Sequence, residues 1–126
     1  MCLYASTEIK KAENDIVCYK LLVKENNNYM TPYQYVNVPK LAIWGLMKFK
    51  AEGKFTIYAH TVTDGAIHTY SELLMPDDIL GKFVNRMKYE MWECIIPKGT
   101  KYTEGTSSDM HIGYASKSIK FTRRIY

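Results

Sequence analysis

Five side chains in this sequence have the chemistry needed to hold a small anionic ligand. Tyr19 and Tyr70 offer aromatic faces on which a base can stack. Lys20 and Arg123 carry positive charges that can meet a phosphate, and His68 adds a ring with polar edges. We expect these side chains to converge on one face of a rigid sheet. The grouping therefore predicts a binding site for a nucleotide-like molecule.

The composition suits this hypothesis but also allows simpler explanations. Eleven tyrosines and a formal net charge of +4 are typical of an aromatic, mildly basic binding surface. β-propensity alone also enriches tyrosine in a strand-rich protein. The last segment interleaves Lys117, Lys120, Arg123 and Arg124 with aromatic residues. It can grip a nucleic-acid backbone, or it can be the solvated face of an edge strand. Nucleic acid is therefore a second partner that the sequence allows.

A different chemistry is indicated by residues 91–102, which have the sequence MWECIIPKGTKY. This segment resembles the last catalytic strand of ADP-ribosyltransferase domains, in which a glutamate precedes an apolar strand and a proline–basic turn. The resemblance implies that Glu93 is a catalytic acid that binds the ribose of NAD and stabilises a cation-like transition state. The sequence departs from the family at Lys20, where some members have arginine, and at Met91, where many have Glu or Gln. The alternative is that Glu93 is an outward residue of an alternating strand.

A second resemblance is carried by short segments spread along the chain. They comprise residues 1–4, 17–20, 31–34, 67–70 and 94–102, continuing to 114–116. Together these segments resemble a family of small uncharacterised proteins of gut bacteria and their phages and prophages. The family has no activity to transfer, but it implies a viral or mobile-element setting. Small proteins in that setting bind a host defence protein or the nucleotide signal that a defence system makes.

The cysteines and histidines lack the spacing of a metal site or of a disulfide framework. Cys2, Cys18 and Cys94 are odd in number and far apart, and the three histidines are scattered. Cys18 and Cys94 lie in apolar segments, where we expect them as small buried residues. The sequence therefore predicts neither a bound metal ion nor a cofactor.

The hydrophobic pattern places most of these residues on strands. The predicted strands and extended segments are 16–24, 29–38, 55–62, 66–70, 91–96, 100–103 and 118–125, with a turn at 25–28. Residues 41–51 fit either a strand or a helical turn. A proline and two aspartates at 76–78, followed by helical spacing, predict one main helix at about 77–88. The sum predicts an α+β fold, with a compact, mostly antiparallel sheet or a partly open barrel.

Length and composition bound the class of protein. A chain of 126 residues with 47% apolar and 24% charged residues suits a single domain, 1–126. No apolar run approaches the roughly 20 residues of a membrane-spanning helix, and the start lacks the pattern of a secretory signal. We therefore expect no membrane partner and a cytoplasmic location, in the host cell if the protein is viral.

These observations favour a non-enzymatic binding protein over an enzyme. Its partner would be a small anionic ligand, which it sequesters, or a host defence protein, which it blocks. One alternative is an ADP-ribosyltransferase-like enzyme that uses NAD, with Glu93 as its key acid. Another is a structural or assembly protein that self-associates. The sequence specifies neither the ligand nor the oligomeric state.

Overall fold

The computed structural model describes residues 3–32, 36–62, 65–75, 89–107 and 110–126. Within these residues the chain forms thirteen β-strands and one helix. In chain order the elements are β1 (Leu3–Ala5), β2 (Lys10–Lys11), β3 (Ile16–Glu25), β4 (Asn28–Met30), β5 (Asn37–Val38), α1 (Lys40–Ile43), β6 (Phe49–Lys50), β7 (Ile57–Tyr58), β8 (Thr61–Val62), β9 (Ile67–Tyr70), β10 (Tyr89–Ile96), β11 (Lys101–Ser107), β12 (Ile112–Ser116) and β13 (Ser118–Arg124).

The described strands join into one antiparallel sheet. Its order is β6-β13-β10-β3-β9-β12-β11-β1-β8-β7, with β2 beside β11 and with β4 and β5 continuing from β3. The central pair, β3 and β10, keeps an unbroken register from Ile16↔Ile96 to Val23↔Tyr89. Because side chains alternate along a strand, this register fixes which of them share a face.

The two faces of the central pair pack against different clusters. On one face, Cys18 and Leu22 of β3 join the main core, which includes Phe49, Ile119 and Phe121. On the other face, a smaller cluster is built on Leu21, Tyr70 and Met91. Lys20 lies between Cys18 and Leu22 on the main-core side, because it shares their alternation. A cation is therefore positioned where an apolar residue would normally pack.

Two tight connections depend on residues that accept a left-handed backbone. β3 turns into β4 through Asn26 and Asn27, with φ of 50° and 66°, which confirms the turn predicted at 25–28. Gly65, ahead of β9, has a φ of +95°, and a Cβ there would lie 2.4 Å from the backbone carbon of Lys54. Gly65 therefore lets the chain entering β9 pass directly against Lys54.

The predicted α+β class is wrong, because the described residues are nearly all β. α1 is a single turn, and no other helix occurs in the described ranges. The main helix predicted at about 77–88 lies outside the described residues. Strands also form outside the predicted ones, at residues 104–107 in β11 and 112–116 in β12. Pairing with neighbouring strands decides such segments, and local propensity does not.

Other predicted elements fare better. β3, β10 and β13 confirm the strands predicted at 16–24, 91–96 and 118–125. The ambiguous segment 41–51 contains the end of α1 followed by the two-residue β6. The strand predicted at 55–62 is split into β7 and β8 by Ala59 and His60, both at positive φ. In the part of the chain that the structure describes, no helix has the length and apolar character to cross a membrane.

One edge of β3 pairs with β10, and the opposite edge changes its partner along the strand. β9 pairs with it at Tyr19↔Tyr70, whereas β4 pairs with Val23, Lys24 and Glu25. No described strand pairs with this edge between the two contacts, at residues 20–22. The sheet therefore has an opening there, and the opening positions the site described next.

Candidate ligand-binding site

A cavity of about 1000 Å³ lies at the opening beside β3. Lys20 and Leu21 of β3 form one wall, and His68 and Tyr70 of β9 form a second. The facing wall consists of described residues between 31 and 52, among them Asn37 of β5 and Phe49 and Lys50 of β6. This volume is at the upper end of the range for small-molecule sites. The cavity therefore has room for a ligand of nucleotide size.

Lys20 is the buried cation of this cavity. The residue is 7% exposed, and its Nζ donates a hydrogen bond to the carbonyl oxygen of His68 at 2.8 Å. His68 lies two residues before Tyr70, the residue at which β9 pairs with β3. Burial lowers the pKa of the Lys20 amine to about 8. Among the described residues, Lys20 forms no salt bridge, so its charge is left without a carboxylate partner.

His68 adds a neutral ring with an unsatisfied nitrogen. Its Nδ1 is buried and has no hydrogen-bond partner in the described structure. Burial, and then the charge on Lys20, lower the pKa of the His68 imidazole to about 4. The ring is therefore uncharged at neutral pH. A buried polar atom without a partner carries a desolvation cost, which a hydrogen-bonding ligand atom would remove.

Two further lysines make the cavity cationic. Lys48 and Lys50 line its facing wall, where Glu52 is the carboxylate among the described lining residues. Sequence reasoning did not select these lysines. Lys48 and Lys50 alternate with Phe49 and Ala51, and this pattern was the available signal. This alternation indicates a strand, but it does not indicate that the strand, β6, places the two lysines at a cavity formed by residues distant in sequence.

Of the five predicted ligand-binding residues, the structure brings three together at the cavity. Lys20, His68 and Tyr70 all line it. Tyr70 is buried and makes an edge contact with His111, with ring centroids 5.9 Å apart. Tyr19 lies directly opposite Tyr70 in the register but packs into the cluster around Leu21 and Met91. Tyr19 supports the wall and does not line it.

Arg123 lies elsewhere, on β13, where it pairs with Glu93. Arg123 Nη2 donates to Glu93 Oε2 at 3.2 Å, and Thr122 Oγ1 donates to Oε1 at 3.1 Å. The hydrogen bond from Arg123, and then that from Thr122, hold the pKa of the Glu93 carboxyl below its usual range. Neither Glu93 nor Arg123 lines the cavity. The expected convergence of all five ligand-binding residues on one face therefore does not occur.

The thiols near Lys20 are buried and unreactive. Cys18 and Cys94 lie opposite each other across β3 and β10, and both are fully buried, as expected from the sequence. Burial raises the pKa of the Cys18 thiol to about 12 and that of the Cys94 thiol also well above its ordinary value. Cys2 lies outside the described residues. Within the described ranges, no group of three or more His, Cys, Asp or Glu side chains is placed to hold a metal ion.

The arrangement combines a roomy cavity with a buried amine that no described carboxylate neutralises. Apolar side chains such as Leu21, Val36 and Ile67 can pack against the body of a ligand, while Lys20, Lys48 and Lys50 attract negative charge. No protein-family model matches this chain, and no curated protein or solved structure matches it either.

Proposed function

We propose that this protein is a non-enzymatic binding protein that captures a small anionic, nucleotide-like ligand in the cavity beside β3. In this proposal it is encoded by a phage or prophage, acts in the host cytoplasm and works by sequestration. The observation that carries the proposal is the buried Lys20, which no described carboxylate neutralises, on the wall of a cavity large enough for such a ligand.

The charge distribution supports an anionic ligand. Lys20, Lys48 and Lys50 line the cavity against Glu52, so the described lining carries an excess of positive charge when its lysines are protonated. A charge removed from water interacts more strongly with a counter-charge than an exposed one does. A phosphate or carboxylate beside Lys20 would therefore gain more than at a surface lysine, and it would raise the pKa of Lys20 toward the ordinary value.

The shape of the cavity supports a ligand with an apolar or aromatic part. Much of its lining consists of apolar side chains from both walls, among them Leu21, Val36, Met47 and Ile67. Such walls favour the body of a ligand, and a few polar groups then fix its orientation. Here the Lys20 amine and the polar edge of the His68 ring are suited to that role. A nucleotide combines the two chemistries in one molecule.

The enzymatic alternative, an NAD-using enzyme, would have its active site at Glu93 and not at the cavity. It depends on Glu93, which is paired with Arg123 and does not line the cavity. The described side chains that hydrogen-bond to the Glu93 carboxylate are Thr122 and Arg123. We therefore rank binding ahead of NAD chemistry.

The test is isothermal titration calorimetry against mono-, di-, tri- and cyclic nucleotides and NAD. Lys20→Met keeps the apolar stem of the side chain and removes its charge, whereas Lys120→Met removes an exposed charge from β13. We expect Lys20→Met to weaken binding of the best ligand at least about tenfold, since a charged hydrogen bond contributes about 1.5–3 kcal/mol. Lys120→Met should leave it unchanged. Absence of binding across the panel, or equal affinity of the two variants, would overturn the proposal.

A further inference from the structure

Three nucleophilic side chains lie close together in the centre of the sheet. Cys18 and Cys94 are paired across β3 and β10, and Lys20 follows Cys18 on the same face. The two thiols are fully buried, do not line the cavity and have raised pKa values, so they stay protonated. Lys20 differs because it borders the cavity. It is therefore the nucleophile of this group that a ligand can reach.

We propose that Lys20 captures its ligand covalently and reversibly, by forming an imine with an aldehyde or ketone that also carries an anionic group. The inference rests on the proposed function in one respect: the same cavity holds the ligand. It goes further by naming the reacting group of the ligand and the atom of the protein that it meets.

The reaction needs no partner beyond the two molecules. The lone pair of the neutral Nζ attacks the carbonyl carbon, a C–N bond forms, and one proton of the nitrogen passes to the carbonyl oxygen to give a carbinolamine. The second proton of the nitrogen passes to the same oxygen, which leaves as water when the C–O bond breaks and the C=N bond is completed. Nothing is oxidised or reduced. Addition of water reverses each step and releases the ligand.

The environment of Lys20 favours this chemistry over that of an ordinary lysine. With a pKa of about 8, a substantial minority of the amine is neutral at pH 7.5, whereas about one part in a thousand of an unperturbed lysine is neutral there. Burial in an apolar site is a general way to activate a lysine for imine formation. The lowered pKa is a consequence of the geometry: a 7% exposed residue on the core face of β3.

The hydrogen bond to His68 is compatible with attack. A neutral amine has two N–H groups and one lone pair, and donation of one N–H to the His68 carbonyl at 2.8 Å leaves the lone pair available. The same hydrogen bond holds Nζ in place. Among the described residues, the charged or titratable groups around the site are Lys48, Lys50 and Glu52 on the facing wall, the side chains of His68 and Tyr70 on β9, and the protonated thiols of Cys18 and Cys94. The cationic pair can attract an anionic group of the ligand while its carbonyl meets Lys20.

Pyridoxal 5′-phosphate is a suitable probe, because it carries an aldehyde and a phosphate on one aromatic ring. The protein is incubated with the probe at pH 7.5, reduced with borohydride to trap any imine, and digested for peptide mapping by mass spectrometry. We expect trapping at Lys20 to be faster than at exposed Lys120 by roughly two orders of magnitude, following the ratio of neutral amine. Lys20→Arg should abolish this adduct. The rate at Lys20 should rise with pH and level off above about pH 8.

A second titration separates this inference from the proposed function. Pyridoxine 5′-phosphate has the same ring and phosphate but no aldehyde, so it tests the cavity without the reaction. If it or a nucleotide binds in a Lys20-dependent way and no adduct forms at Lys20, the imine inference is overturned and the proposed function stands. Trapping spread evenly over exposed lysines also overturns the inference. Selective trapping at Lys20 with no nucleotide binding supports the imine and rejects the nucleotide-like ligand.

Discussion

Two ionisable residues on the main-core face of the central strands have opposite surroundings. Glu90 of β10 is opposite Leu22 in the register, and Lys20 of β3 is opposite Trp92. Both residues are buried, at 8% and 7% exposure. They differ in their partners. Lys20 has one described hydrogen bond, to a backbone carbonyl, whereas Glu90 lies at the centre of a network.

The Glu90 carboxylate is satisfied on both oxygens. Its Oε1 accepts hydrogen bonds from Tyr29 Oη and from Trp92 Nε1, each at 3.2 Å. Its Oε2 lies 3.7 Å from Lys24 Nζ and 3.8 Å from Arg124 Nη1. The partners come from four strands, so the carboxylate links β3, β4, β10 and β13. A buried charge with such partners holds structure together, and a buried charge without them is available for a ligand.

Removing the Glu90 side chain should have the largest effect on stability. Glu90→Ala leaves the Tyr29 hydroxyl and the Trp92 indole N–H without their acceptor, and it leaves two cations close together. We expect the free energy of unfolding to fall by about 2–3 kcal/mol, measured by urea denaturation at pH 7. Glu90→Gln is the matched control: it keeps an acceptor oxygen and should recover part of the loss. A loss below about 0.5 kcal/mol for Glu90→Ala would show that the network is not structural.

Removing the charge of Lys20 should have a smaller effect, and of the opposite sign. Lys20→Met eliminates the cost of burying an ammonium group, so the free energy of unfolding at pH 7 should rise by about 1–2 kcal/mol. The folded-state pKa of about 8 lies below the ordinary 10.5, so the unfolded chain binds more protons between these values. Stability of the native sequence should therefore gain from this group as the pH rises from about 8 to 10.5.

The pH series of urea denaturation also provides the control. Tyrosines and other lysines titrate in the same range, and the difference between the native sequence and Lys20→Met isolates Lys20. The stabilising effect of the substitution should shrink as the pH approaches 10.5. If Lys20→Met is destabilising at every pH, Lys20 is a structural residue like Glu90, and the contrast between the two fails.

Breaking the Glu93–Arg123 pair should have the smallest effect. The pair is largely exposed on the Arg123 side, at 68% of the side chain, and exposed ion pairs contribute less than about 1 kcal/mol. Glu93→Gln should lower the free energy of unfolding by about 0.5 kcal/mol or less and leave ligand affinity unchanged. The measurements are urea denaturation, calorimetry and chromatographic assay of NAD after long incubation. NAD consumption that Glu93→Gln abolishes would instead establish the enzymatic alternative.

Most of the long strands were predictable from the sequence, whereas the two-residue strands were not predicted as separate elements. β3, β10 and β13 contain seven or more residues, enough for alternation and β-branched content to indicate a strand. Five of the described strands contain two residues each, too few to show any period. These strands exist because a neighbour pairs with them. The α+β prediction omitted β1, β2 and β12 and left β6 ambiguous, so it undercounted the strands of a described chain that is nearly all β.

The binding site was predictable only where its residues lie on strands that the local sequence pattern indicates. Lys20, His68 and Tyr70 lie on or next to strands that the pattern indicated, and their chemistry suggested a ligand. Arg123 also lies on a predicted strand, but its alternation does not reveal that Glu93 is opposite it in the neighbouring strand. Lys48 and Lys50 reach the cavity through β6, whose position depends on pairing with Ser118 and Ile119. Contacts between residues so distant in sequence leave no local signal.

The uneven construction of the cavity has a consequence for what it selects. Lys20 is set on a strand held by an eight-residue ladder with β10, whereas the described residues of the facing wall lie in the two-residue strands β5 and β6 and in the segments around them. Few backbone hydrogen bonds resist opening of such a wall. Lys20, which meets the reactive or charged group of the ligand, is therefore held rigidly. The facing wall, which contacts the rest of the ligand, can deform more easily. We expect ligand analogues in which the reactive or anionic group is moved to bind much more weakly. Analogues that differ only in the width of the molecule should still bind.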